Sequence, residues 1–315
     1  MDTPLKIRSF LAEDDLLGLT ELVNAARSSA LSPEQILAQL SSPGFEINRD
    51  CFVTIRGNWL VATGTIYPQS SQRFFINIIT HPDARRQGIG RLLLEHLLRE
   101  LEQRGGQQVT CAIRASNATA QAFAVACGFT LAGEVCFFDA DAGLALPAPQ
   151  VPSGYSLHSI ADLGDPQVFV DACNRCYQDM WGHSENLEPL TVEKVDEWHR
   201  QFPNILRPEG MFVLLSSDGR PAGVTRADRE GEGDHEVRVI DAPGVAPEYR
   251  HLGLQRSLVL AAAAWLRQNG TGPYQIQTWG DSPQAREIYL SLGFRLDEST
   301  HLIEFVRYLG ETPVT

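Results

Sequence analysis

Leu94, Leu97, Leu98 and Leu101 recur at three- and four-residue spacing, and so do Leu254, Leu258, Ala261, Ala262 and Trp265. Each set predicts an amphipathic helix with one apolar face. Short apolar runs stand before these helices, "FFINIIT" and "VRVID", and others stand after them, "QVTCAIR" and "YQIQTW". Runs of that length, rich in β-branched and aromatic residues, predict strands. A helix that leaves one strand and returns to another is the crossover of an α/β sheet. The pattern occurs twice, and each occurrence reads as strand, two helices, a strand pair, a strand, the long helix, a strand, a helix and final strands.

The recurrence extends to residue identity. "THPDARRQGIGRLLLEHLL" from Thr80 aligns with "VAPEYRHLGLQRSLVLAAA" from Val245, and "NATAQAFAVACGF" from Asn117 aligns with "DSPQAREIYLSLGF" from Asp281. Gly128-Phe129 and Gly293-Phe294 fall at the same displacement as Thr80 and Val245. Two matches at one displacement mark an internal repeat. The opening strands "KIRSF" and "YSLHSI" lie closer, about 150 positions apart, so the second copy carries extra chain around "YQDMWGHSENLEPLTVEKVDEWHRQF" and "DREGEGDHE". The Pro-rich segment "DADAGLALPAPQVPSG" reads as a linker, which predicts two domains, 1–145 and 152–315.

Between strand and long helix each copy has an Arg-x-x-Gly-x loop, "RRQGIG" in the first and "RHLGLQ" in the second. Such a loop turns several backbone N–H groups toward one point at the positive end of the helix dipole, which suits a phosphate or pyrophosphate. Glycine in the last position lets the backbone approach closely; Gly90 meets that condition and Gln255 does not. A dinucleotide fingerprint needs a further glycine where Leu93 stands, and a phosphate loop of the Gly-Lys-Ser/Thr type is absent.

The order Val/Thr-x-Pro-x-x-Arg-x-x-Gly-x-Gly, Asn-x-x-Ala and Gly-Phe resembles the GNAT superfamily of acyl-CoA-dependent N-acetyltransferases, here in tandem. The resemblance implies an α/β fold of two domains, each a central mixed sheet flanked by helices. It also implies acetyl-CoA lying in a V between two central strands, and direct transfer of its acetyl group to an amine. It implies pyrophosphate contacts from Arg85, Gln87, Gly88, Ile89, Gly90 and Arg91 in the first half, and from Arg250, Leu252, Gly253, Leu254 and Gln255 in the second. Backbone groups of Ile79 and Thr80, or of Gly244 and Val245, meet the pantetheine arm. Asn117 and Asp281 stand at the family's asparagine position, where both are equally good helix caps. Gln255 keeps its own N–H but forbids the closest approach unless its side chain turns away, so weaker cofactor binding is expected in the second half.

Acyl transfer needs a neutral amine, a stabilised oxyanion and a proton for the departing thiolate. The family's tyrosine proton donor corresponds to Tyr289 in the second copy and to Ala124 in the first, where neighbouring Phe123 has no hydroxyl. Spacing alone also allows Tyr289 as a core aromatic. Glu236 and Asp241, flanking the strand before the second loop, are the candidate bases, and His81 is a weaker candidate in the first half. The expectation is a catalytic second half and a first half degenerate in catalysis. The rival is a non-catalytic acyl-CoA-binding or sensing protein that uses the intact first loop.

With 315 residues, 43% hydrophobic and 21% charged, the chain is long enough for two cores. The net charge of -13 argues against a nucleic-acid partner and suits a cationic amine. No run approaches a membrane span and the N-terminus lacks a secretory pattern, so a cytoplasmic monomer or homodimer is expected. Six scattered cysteines read as reduced thiols, and the lone C-x-x-C pair, Cys173 and Cys176, lacks a partner pair for zinc. Tyr177, Asp179, Trp181, His183, Glu185 and Trp198 compose an aromatic and acidic surface for a basic acceptor.

Overall fold

The computed structural model describes residues 4–26, 30–40, 44–180, 189–201, 207–231, 233–279 and 283–310. In chain order the first repeat contributes β1 (Leu5–Ser9), α1 (Ala12–Ala25), α2 (Pro33–Gln39), the short α3 (Ile47–Asp50), β2 (Cys51–Arg56) and β3 (Trp59–Pro68). It continues with β4 (Arg73–Thr80), α4 (Ile89–Gln103), β5 (Gln108–Arg114), α5 (Ala118–Ala126) and β6 (Thr130–Ala140). The second contributes β7 (Tyr155–Ser159), α6 (Ile160–Leu163), α7 (Pro166–Cys176), α8 (Val192–Gln201), β8 (Met211–Ser216) and β9 (Pro221–Glu230). It ends with β10 (Val237–Val245), α9 (Leu254–Asn269), β11 (Tyr274–Trp279), α10 (Pro283–Ser291), β12 (Arg295–Leu296) and β13 (Leu302–Tyr308). The starts of two helices follow from their caps. Ser32 and Gln35 form a reciprocal capping box before α2, and Asp165 caps α7, with proline at the first helical position in both.

The chain divides into two compact units, and the division is not the linker boundary. Residues 1–113, 117–132 and those from Glu304 onward form the first unit, and residues 114–116 and 133–303 form the second. The sheet of the first unit runs β1-β2-β3-β4-β5-β13, and that of the second runs β7-β8-β9-β10-β11-β6 with β12 on β6. Each unit therefore takes a closing strand encoded in the other repeat. The expected domains 1–145 and 152–315 delimit the repeats but not the compact units. A linker is legible from local composition, whereas a strand's partner is chosen by register and apolar fit over long separations.

Both sheets are mixed and both open at the same place. In the first unit β4 and β5 are parallel, paired from Arg73↔Gln108 to Phe75↔Thr110, after which β4 bonds only to β3, through to Ala62↔Thr80. In the second, β10 and β11 are parallel from Arg238↔Tyr274 to Asp241↔Gln277. A bulge between Asp241 and Gly244 then turns β10 away along β9, with Ala242 at φ 41°. The V expected between the central strands is thus present in each unit.

The helices cover the sheets on two faces. In the first unit, Leu93, Leu94, Leu97, Leu98 and Leu101 of α4 are buried, and Leu19, Leu22 and Ile36 of α1 and α2 join Cys51 and Val53 in a cluster on the other face. In the second, α9 and α10 pack with Ile240, Ile276 and Phe138, and α7 packs with Val213, Val224 and Ala242. Each fully buried leucine contributes about 2 kcal/mol of transfer free energy. Seating α4 and α9 in this way fixes the loops that precede them.

Candidate active site

The two Arg-x-x-Gly loops have the same construction. Gly88 and Gly253 cap α4 and α9 in the left-handed region, at φ 78° and 71°, with no side chain capping the helix start. The next side chains, Ile89 and Leu254, are buried and anchor the turn. The leading N–H groups are thereby left to an outside acceptor, although in α9 the Arg256 N–H already donates to the Gly253 carbonyl at 3.2 Å. Arg85 Nε donates to the Thr80 carbonyl at 3.2 Å and Arg250 Nε to the Val245 carbonyl at 3.0 Å. Both arginines therefore brace the loop against its own strand end.

The loops differ in charge and at their last residue. Arg86 and Arg91 are exposed and enter no ion pair among the described residues, while Gln87 turns its amide to the Asp83 carbonyl at 3.1 Å. Arg250 is instead held bidentate by Asp179, at 2.6 and 2.8 Å, and Leu252 is exposed. A Cβ on Gly90 would meet Thr80 Oγ1 at 3.5 Å and Phe123 at 3.6 Å, ordinary contacts, so packing within the unit does not require glycine there. The residues of the first loop fit an anionic cofactor approaching the backbone. Those of the second fit it with less positive charge.

Gln255 does not project over its loop. Its Nε2 donates to the Pro243 carbonyl at 2.7 Å and to the Tyr289 hydroxyl at 2.8 Å. Tyr289 on α10 is fully buried, and its ring meets Phe138 edge-on at 5.2 Å. The expected steric obstruction is thus removed by the direction of the side chain. On the other face of the sheet the Tyr177 hydroxyl donates to the Ala242 carbonyl at 2.5 Å, and its ring lies where a Cβ on Gly244 would be. The bulge is therefore held from two sides, and the proline in "DAPGV" was its sequence signal, since proline inside a strand marks an edge or a bulge.

The carboxylates do not take the expected places. Glu236 precedes β10, at the end opposite the loop, and the strand's 9 residues span roughly 30 Å. It accepts from the Thr271 N–H at 2.6 Å and the Gly272 N–H at 3.3 Å, which hold its carboxyl below the usual range. Its role is to tie the α9–β11 turn to the strand, which corrects its assignment as a base. Asp241 is buried and ion-paired with Arg226, so it is a structural partner and not an open base. Tyr177 and Asp179, expected on an acceptor surface, are spent on the bulge and on Arg250, and Trp198 packs against the α7 cluster. Trp181, His183, Glu185 and Asp281 lie outside the described residues.

The remaining candidates have local roles. Asn117 Oδ1 accepts from the Ala120 N–H at 3.1 Å and caps α5. His81 Nδ1 accepts from the Asp83 N–H at 3.3 Å, and its ring meets Trp59 edge-on. Cys173 and Cys176 lie on the buried face of α7, and burial pushes the Cys176 thiol up to about 12, beyond nucleophilic use at neutral pH. Among the described residues Glu134, Cys136 and His301 come within metal-ligand reach, but Glu134 Oε2 already receives His301 and Arg286, each at 2.9 Å. A cavity of about 90 Å³ in the first unit, under α1 and α2, is floored by Thr63, Thr65, Tyr67 and Asn77 and, among the described residues, lined by no carboxylate. It offers an ammonium group no counter-charge.

A profile described as "Acetyltransferase (GNAT) family" matches residues 19–129 and 170–294, one stretch in each repeat. The chain is 27% identical over 327 aligned positions to a mycothiol acetyltransferase of Nocardiopsis dassonvillei, covering 94% of both proteins. Among solved structures, a GCN5-related N-acetyltransferase from Sphaerobacter thermophilus superposes with a TM-score of 0.71 at 16% identity, over 96% of this chain and 95% of that one. A tandem GNAT protein from the clavulanic acid biosynthesis pathway superposes with a TM-score of 0.56 at 19% identity, over 98% of this chain and all of that one. No helix among the described residues is long and apolar enough to cross a membrane.

Proposed function

The chain belongs to the acetyltransferase (GNAT) family, and from that premise we propose that its second unit transfers an acetyl group from acetyl-CoA to a primary amine with Tyr289 as the proton donor. The protein is an acyltransferase, and its family uses acyl-CoA as co-substrate. The observation that carries the assignment is the Tyr289 hydroxyl, hydrogen-bonded to the last residue of the loop beside the opening of β10 from β11. Ala124 gives the first unit no hydroxyl at the matching position.

The first-turn N–H groups of α9 hold the pyrophosphate, and the backbone of Gly244 and Val245 receives the pantetheine arm. The co-substrate supplies an acyl group on sulfur. A neutral amine attacks the acyl carbon, a C–N bond forms, the C–S bond breaks, and the departing sulfur takes the Tyr289 proton. The proton lost by the amine passes to solvent and restores the phenol, so no carboxylate base is required. The rate is expected to rise with pH as the acceptor loses its proton.

The first unit retains acyl-CoA without transferring from it. Its exposed Arg86 and Arg91 and its glycine-ended loop support this reading. The acceptor is a small primary amine; mycothiol acetylation is the named activity of a relative only 27% identical to this chain.

The test is Tyr289→Phe in the full chain, with CoA release followed over an amine panel. The turnover number is expected to fall about 100-fold, while stability falls by only about 1 kcal/mol, the worth of the lost buried hydrogen bond. Undiminished turnover would remove Tyr289 from the chemistry. Calorimetric titration of the full chain with acetyl-CoA is expected to give two sites, the tighter one weakened about tenfold at low salt on replacing Arg86 and Arg91.

A further inference from the structure

We infer that Gln255 is the positioning residue for Tyr289, so that the missing loop glycine and the added hydroxyl are two parts of one device; this rests on the assignment of transfer to the second unit. The Pro243 carbonyl can only accept, which identifies the Gln255 atom facing it as the amide nitrogen. That nitrogen carries two N–H groups. One anchors it to the bulge at 2.7 Å, and the other reaches the Tyr289 oxygen at 2.8 Å. The phenol serves as acceptor in this contact, so the bond does not consume the proton that is to be transferred.

The ring of Tyr289 is already fixed by Phe138 and the apolar cluster around it. An N–H donated to the phenol oxygen opposes the negative charge that forms when the proton leaves. Because the donor is anchored on the bulge itself, the hydroxyl is referenced to the strand that receives the acyl arm. The Pro243 carbonyl keeps a second lone pair for an incoming amide.

The duplicated half supplies an internal comparison. At the two matching positions it has Gly90 and Ala124, with neither amide nor hydroxyl. The replacement that looks like damage to the loop therefore occurs in the one half where there is a phenol for it to hold. Because the side chain turns inward, cofactor approach is left open and the benefit falls on the chemical step, so kcat responds and KM for acetyl-CoA does not.

The experiment compares Gln255→Leu and Gln255→Gly, each in the wild-type and Tyr289→Phe backgrounds of the full chain. With the best amine of the panel, both single variants are expected to lower kcat about tenfold, the worth of one well-placed hydrogen bond, while KM for acetyl-CoA changes by less than about twofold. In the Tyr289→Phe background no further loss is expected. An equal loss in both backgrounds, or a rise in kcat/KM for Gln255→Gly, overturns the inference by making the amide independent of the phenol or an obstruction. Loss of activity in Tyr289→Phe with none in the Gln255 variants sinks the positioning role alone. Full activity in Tyr289→Phe sinks the assignment of the donor and the positioning role with it. Urea unfolding of the same six proteins, the two parents included, reads the pair without any substrate, and additive effects there overturn the coupling.

Discussion

Gly244 and Asp50 show how single residues hold each unit in shape. A Cβ at Gly244 would overlap the Tyr177 ring, whose hydroxyl is fixed on the Ala242 carbonyl. Gly244→Ala is expected to cost about 2 kcal/mol in urea unfolding, the scale of an overpacked core position, and to be relieved in part by Tyr177→Ala. Asp50 is fully buried at the end of α3. Burial alone would raise its pKa, but hydrogen bonds from Arg49, the Glu46 N–H and Arg104, with the charge of Arg49, more than reverse that and hold the carboxyl below its ordinary value. A group depressed in the folded state stabilises above its unfolded pKa, near 3.9, and loses that contribution as pH falls through the lower folded value. Asp50→Asn is expected to cost about 2 kcal/mol at neutral pH and to flatten the acid limb of a stability–pH curve below about pH 4. Of the residues that meet behind the second loop, the family resemblance pointed to Tyr289 and the internal repeat to the position of Gln255. Neither could identify their contact, because a side chain's direction follows from what is packed beside it.

At the scale of elements, the loop and the long helix after it behave as one module, repeated with changes. The apolar faces of α4 and α9 were legible because helical period is a local property. Leu94, Leu97, Leu98 and Leu101 are buried as their spacing requires. Charge separates the modules, since Arg86 and Arg91 stand unpaired by any acid among the described residues while Arg250 is neutralised by Asp179. Replacing Arg86 and Arg91 together with alanine is expected to weaken acetyl-CoA binding to the first unit about tenfold at low salt, with a smaller effect at high salt. Titration at two ionic strengths checks it, and a salt-independent loss would point to a change of loop structure instead. Glu236 was misread at this same scale. Its sequence position beside a strand preceding the loop is close to the site, yet an extended strand carries its two ends roughly 30 Å apart.

For the molecule as a whole, the repeats and the compact units are different divisions of one chain. Residues 304–308 close the sheet of the first unit beside β5, and residues 135–140 pair with β11 in the second, from Tyr274↔Ala140 to Trp279↔Val135. Separate fragments 1–145 and 152–315 are each expected to lack a strand and expose an apolar edge. Circular dichroism and amide NMR of each alone should show loss of fixed tertiary structure, and mixing the two should restore it. A fragment that is folded and monomeric by itself would contradict this division. The duplication, the two loops, the helix faces and the contrast of Tyr289 with Ala124 at matching positions were determined by the sequence, because each rests on residue identity or short-range period. The exchanged strands, the bulge held by Tyr177, the withdrawal of Glu236 and Asp241 from the chemistry and the inward turn of Gln255 were decided by the tertiary structure. Their physical reason is common to all four: partners a dozen or more residues away compete for the same hydrogen bonds and apolar surface, and only packing decides among them.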